Sequence, residues 1–151
     1  MFENFSDQSR VWVYPSSRIL NQDDRQVICK YLDDFIVKWN AHGVSIKGSY
    51  EIFDNNFIVL IADEEKATAS GCSIDSSVKC IKSIGSQLNI DFFNRLSIIV
   101  EKDNKIQRVS FVDLSSETSD YVFDTSVSRL SELRNGFKIP TQDYLNRLVL
   151  K

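Results

Sequence analysis

The sequence predicts an α+β fold over residues 1–151: an antiparallel sheet with two main helices on one face. The plan is a split β-α-β, ferredoxin-like one, extended by a fifth strand and short C-terminal helices. Three observations carry this. Residues 27–39 place apolar side chains one and three apart, the period of an amphipathic helix. Residues 44–53 alternate and then, after a polar turn, give way to the apolar run 57–61. That is the pattern of a hairpin whose second strand is covered on both faces. A second helical stripe opens at Ile74.

The elements follow in order. Arg-Val-Trp-Val-Tyr at 10–14 is β-branched and aromatic and is stopped by Pro15, so it reads as a strand. Asn21 or Asp23 caps the first helix. Val27, Ile28, Tyr31, Leu32, Phe35, Ile36 and Trp39 form its apolar stripe, with Asp24, Lys30, Asp33, Asp34 and Lys38 opposite. Gly43 ends that helix as a C′ residue, which sets His42 near the negative end of the dipole. Along 44–53, Val44, Ile46, Tyr50 and Ile52 share one face. Asp54-Asn55-Asn56 makes the turn, since these side chains tolerate left-handed φ. Ser73 or Asp75 caps the second helix, whose stripe is Ile74, Val78, Ile81, Gly85 and Leu88. A glycine inside a helix costs about 1 kcal/mol against alanine, so Gly85 marks a close contact.

Residues 97–101 and 106–110 flank a Lys-Asp-Asn-Lys turn as a second hairpin. Ser110-Phe111-Val112-Asp113 fits a capping box opening a short helical turn. The polar run 115–120 reads as a mobile loop, 126–134 as a short helix closed by Gly136, and 141–150 as a last helix after Pro140. Nothing between Pro15 and Pro140 has linker composition, so one domain is expected.

Composition excludes several function classes. Lys and Arg number 18 against 21 Asp and Glu, for a net charge of −3. A nucleic-acid or anionic-membrane binder would carry a basic surplus. The longest apolar run, 57–62, is far short of the roughly 20 residues of a membrane span. The N-terminus lacks the basic and apolar stretches of a secretory signal, and three scattered cysteines, Cys29, Cys72 and Cys80, do not form a disulfide framework. A cytoplasmic location is the simplest expectation. With one histidine, His42, and no paired Cys/His spacing, no structural zinc site is expected. No glycine-rich phosphate loop occurs, and no cofactor is implied.

The unusual segment is Ser70-Gly71-Cys72-Ser73-Ile74-Asp75-Ser76-Ser77. It sets small polar side chains and a glycine at a helix start, where free N–H groups and the positive dipole end attract anions. Gly71 would admit a ligand close to the backbone. Ser70, Gly71, Cys72, Ser73, Asp75, Ser76 and Ser77 are therefore the candidate ligand-binding residues. The same residue types serve equally as helix caps. Cys72 as nucleophile with His42 as base is the catalytic alternative, and it requires the two within hydrogen-bond reach. Asp63, Glu64, Glu65 and Asp75 have the chemistry of a divalent-cation site, but such runs are ordinarily solvated surface, and no metal is expected. Trp12 and Trp39 lie on patterned apolar faces and belong to the core rather than to a ligand.

The block Ser-Gly-Cys-Ser-Ile-Asp-Ser-Ser-Val at 70–78, with Phe-Ile-Val-Leu-Ile-Ala-Asp before it and Ile-Asp-Phe-Phe-Asn-Arg after it, resembles a small bacterial family of about this chain's length. Its members are sometimes labelled ABC transporter ATPase, and the resemblance extends from Arg10 to the C-terminal helices. The label implies a transporter-associated accessory role. An ATPase of that class needs a Walker A loop and an L-S-G-G-type signature, and neither is in this chain, so ATP hydrolysis by it is not expected. The leading expectation is a non-enzymatic domain that binds a small molecule or a protein partner at 70–77. The alternatives are a thiol enzyme using Cys72 or the accessory protein.

Overall fold

The computed structural model describes residues 2–149. The first strand, β1 (Arg10–Pro15), ends at the proline. The first helix, α1 (Gln22–Lys38), is capped by Asn21: Asp24 N donates to Asn21 Oδ1 at 2.8 Å, and Asn21 N donates to Asp24 Oδ2 at 2.9 Å. Asp24 was expected on the solvent face, but it is buried. It carries this cap and an ion pair with Arg18, and that guanidinium holds its carboxyl below the usual carboxylate range. Arg18 also donates to Leu88 O at 3.1 Å, tying the start of the first helix to the end of the second.

The first helix does not run on to Gly43. Strands β2 (Asn40–Ala41) and β3 (Val44–Ser45) pair across His42 and Gly43, whose φ values are +52° and +80°. Two successive left-handed residues make the hairpin turn that matches strand twist, and Gly43 is there to allow it. His42 is therefore on a hairpin tip and not at a helix end. After Ile46, β4 (Lys47–Phe53) and β5 (Phe57–Asp63) form the predicted hairpin, with Asp54 and Asn55 both at left-handed φ.

The first sheet has the order β1-β5-β4 and is antiparallel throughout. Every residue of β5 is buried. Ile58, Leu60 and Ala62 face the helices, while Phe57, Val59 and Ile61 face the other way. The second helix, α2 (Gly71–Leu88), packs beside α1 on the first of these faces, where Ile28, Leu32, Ile81 and Ile84 are fully buried. Gly85 is the close contact its position predicted: a Cβ there would lie 2.6 Å from Ile90 O. The chain doubles back at this point because Asn89 is left-handed and Ile90 N donates to Gly85 O at 3.0 Å.

The remaining elements build a second sheet. Strands β6 (Ser97–Lys102) and β7 (Lys105–Ser110) turn at Asp103 and Asn104, both left-handed. A 3-10 turn, Phe111–Asp113, follows; Ser110 makes no side-chain capping bond to it, so the expected capping box does not form. Strand β8 (Tyr121–Phe123), helix α3 (Leu130–Gly136), strand β9 (Lys138–Pro140) and helix α4 (Thr141–Val149) complete the described chain. Leu150, the expected end of the last helix, lies outside the described residues. The sheet order is β7-β6-β8-β9.

The class is α+β, with antiparallel sheets and the two main helices on one face. The ferredoxin-like connection is corrected. There the strand after the second helix would join the first sheet; here β6 pairs with β7 and β8 instead. The reason is the free face of β5, where Phe57, Val59 and Ile61 need a second apolar layer. Ile99, Phe123, Val127, Leu130 and Phe137 supply it. The run 115–120, read as a mobile loop, is held by hydrogen bonds: buried Ser119 meets Thr141 at 2.6 Å, and Asp120 N donates to Glu101 O at 2.8 Å. The helix expected from Ser126 starts only at Leu130, because Ser128 to Leu130 lie along β1: Val11 N donates to Ser128 O at 3.0 Å and Leu130 N to Ser9 O at 2.9 Å.

Gly85→Ala tests the tight turn. The helical gain of about 1 kcal/mol is outweighed by forcing Ile90 aside, a cost of roughly 1–3 kcal/mol in a packed site. Urea denaturation should therefore show a lower midpoint for the variant, and an unchanged or higher midpoint contradicts the packing.

Candidate functional site

The predicted segment 70–77 is the first two turns of α2 and the residue before them. Ser70, not Ser73 or Asp75, is the N-cap. Its Oγ accepts from Ser73 N at 3.2 Å, and Ser73 Oγ in turn accepts from Ser70 N at 2.7 Å. This is a capping box with serine in the usual glutamate place. The apolar period pointed three residues too late because the first turn, Gly71 and Cys72, is exposed. Gly71 is an ordinary first helical residue, not one with left-handed φ, and open space surrounds the position of a Cβ. Ser76 Oγ donates to Cys72 O at 2.9 Å and Ser77 Oγ to Ile74 O at 2.6 Å. The hydroxyls of the segment thus bond its own backbone. Ser73 O accepts from the buried indole Nε1 of Trp39 at 2.9 Å, which locks the turn onto the core.

Cys72 and Asp75 are exposed, and so is His42. Strand β2 packs against α2, so the His42 hairpin and the start of α2 share one end of the molecule. No hydrogen bond joins His42 to Cys72 among the described residues. The acidic run is dispersed: Asp63 is buried beside Lys47 at 3.7 Å, Glu64 faces Arg10 and Arg129 at 3.9 and 3.6 Å, and Glu65 is exposed. Among the described residues no group of three or more His, Cys, Asp or Glu is placed to share a metal ion. Trp39 is buried in the core, edge-on to Trp12 at 5.8 Å. Trp12 is only partly buried.

Trp12 opens onto a feature that sequence reasoning missed, a cleft of about 640 Å³ along the outer edge of β1. Its walls come from three layers: Ile74 and Val78 of α2, Ile98 and Ile99 of β6, and Val127 and Tyr144 from the C-terminal part. Aromatic residues are prominent, with Trp12, Tyr14, Phe92, Phe93, Phe111 and Phe123 all contributing. The charged residues lining it are Arg10 and Arg95. Burial is the main cause that raises the Tyr144 phenol above its ordinary range, so it stays a neutral donor.

Beside the apolar core that the two sheets share, the cleft runs along the outer edge of β1 between two polar clamps. At one end, Arg108 of β7 donates to Ser16 O at 3.0 Å and to Asn56 Oδ1 at 2.7 Å. At the other, Ser128 to Leu130 pair with β1. Exposed Phe111 lines the cleft, and its N donates at 2.7 Å to the carbonyl of Leu96, an exposed residue between the lining Arg95 and Ser97. The one signal in the sequence was an arginine just after paired phenylalanines, Phe92-Phe93-Asn94-Arg95, in a segment without strong period.

Comparison with protein families, with curated proteins and with solved structures finds no match to this chain. The resemblance read around 70–78 gains no support there, and function rests on the geometry. Among the described residues no helix is long and apolar enough to cross a membrane. The three cysteines are free thiols, and burial pushes Cys80 up to about 11.

Ser70→Ala removes one side of the capping box and should cost about 1 kcal/mol of stability by urea denaturation. Cys72→Ala at the neighbouring exposed position should stay within about 0.5 kcal/mol of the parent. Equal losses from the two variants would contradict the assigned cap.

Proposed function

We propose that this protein is a cytosolic, non-enzymatic binding domain whose ligand occupies the cleft along β1. The observation that carries the reading is a cavity of about 640 Å³ with predominantly apolar and aromatic walls. Ligand pockets ordinarily span about 300–1,000 Å³ with this kind of lining and a few polar groups. Among the described residues its lining includes no His, Cys, Asp or Glu, which favours binding over carboxylate, imidazole or thiol catalysis. The segment 70–77 contributes through Ile74, while its hydroxyls bond its own backbone. Free thiols suit a reducing compartment.

The neutral fluorophore N-phenyl-1-naphthylamine tests this. It should show saturable one-to-one binding by fluorescence. Ser97→Trp and Val78→Trp, on two walls of the cleft, should each abolish it while near-UV circular dichroism stays native. Absent saturation with the parent protein, or undiminished binding in both folded variants, overturns the reading.

A further inference from the structure

The cleft has a polarity that points to the class of its ligand; this inference rests on the cleft being the binding site. The chain as a whole is acidic, at −3, yet the charged residues of the described lining are two arginines, with no carboxylate among them. Arg10 is partly neutralised, standing 4.9 Å over the Trp12 ring and 3.9 Å from Glu64. Arg95 is exposed and forms no ion pair or hydrogen bond with the described residues, so its charge is available. The β1 edge adds a neutral donor. Because Val11 N turns outward to Ser128 O, the alternation of an antiparallel edge turns Val13 N–H outward too. The isolated pairing of β1 with this segment is at Arg10, and Pro15 has no N–H, so among the described residues Val13 is left as the open donor on that edge. A peptide adding as a further strand would need several such groups in a row. One donor, one free guanidinium and aromatic walls suit a small molecule instead.

We propose that the ligand is a small amphipathic organic anion, its apolar or aromatic body between Trp12, Phe92 and Tyr144 and its charged group held by Arg95. A guanidinium binds such groups through charge-assisted hydrogen bonds, and in a site with no carboxylate it favours an anion over a neutral molecule of the same shape.

The test compares two probes with the same aromatic body, the anionic 1-anilinonaphthalene-8-sulfonate and the neutral N-phenyl-1-naphthylamine, titrated by fluorescence into the full chain. The anion should bind roughly tenfold tighter. Arg95→Gln should erase that preference, weakening the anion roughly tenfold and the neutral probe less than twofold, whereas Arg95→Lys should retain most of it. Circular dichroism establishes that each variant is folded. Equal affinity for both probes, or an anion affinity untouched by Arg95→Gln, overturns the assignment of an anion while leaving the cleft as a site. Binding of neither probe overturns the cleft reading itself and the anion with it.

Discussion

Strand β5 has no solvent face, and the rest of the molecule is arranged around that constraint. All seven of its residues, Phe57–Asp63, are buried. Side chains of successive residues point to opposite sides of a sheet, so such a strand must have an apolar layer on both. On one side Ile58, Leu60 and Ala62 bury the stripes of α1 and α2. On the other Phe57, Val59 and Ile61 meet a layer built from β6, β8 and α3. Phe57, Phe123 and Phe137 pack there with ring centroids 5.0 to 5.4 Å apart. Each fully buried side chain of this size contributes about 1.5–3 kcal/mol, and β5 draws that contribution from both layers at once.

Polar contacts then decide how the second layer sits on the first. Arg108 reaches across to Ser16 and Asn56 without a carboxylate partner, and burial pulls its pKa down from the ordinary guanidinium value. The Asp54-Asn55-Asn56 turn therefore does two jobs: it closes the first hairpin and offers a buried amide to the second sheet. Arg147 pairs with buried Asp124 at 2.8 Å and fixes α4 against the end of β8. These clamps leave the middle of β1 uncovered on its outer edge. The cleft thus lies at the edge of the shared apolar core, where the four-stranded sheet and the three-stranded one meet at β1.

Much of the fold was legible because local rules governed it. The stripe of α1, the Asn-rich turn and the apolar run of β5 each answer to period or turn chemistry within a few residues. Three features were not. His42-Gly43 reads as a helix stop or as a hairpin turn, and tertiary pairing of Asn40–Ala41 with Val44–Ser45 chose the second. Asp24 has the pattern of a surface acid, but it is buried with the guanidinium of Arg18, which the distant fold in turn ties to Leu88 O. Strands β8 and β9 are three residues each, too short for a period to show. The candidate site suffered most. Residues 70–77 stood out locally because capping concentrates small polar residues, whereas the cleft draws on segments more than a hundred residues apart, from Trp12 to Tyr144.

The claim that one strand unites both layers is tested most directly by native-state hydrogen exchange resolved to single amides. A shared β5 predicts that amides of β5, β6 and β8 exchange through one opening, at the largest free energy in the molecule. If β6 and β8 exchange through a distinctly cheaper opening while β5, α1 and α2 stay protected, the second layer is an independent unit and the account is contradicted.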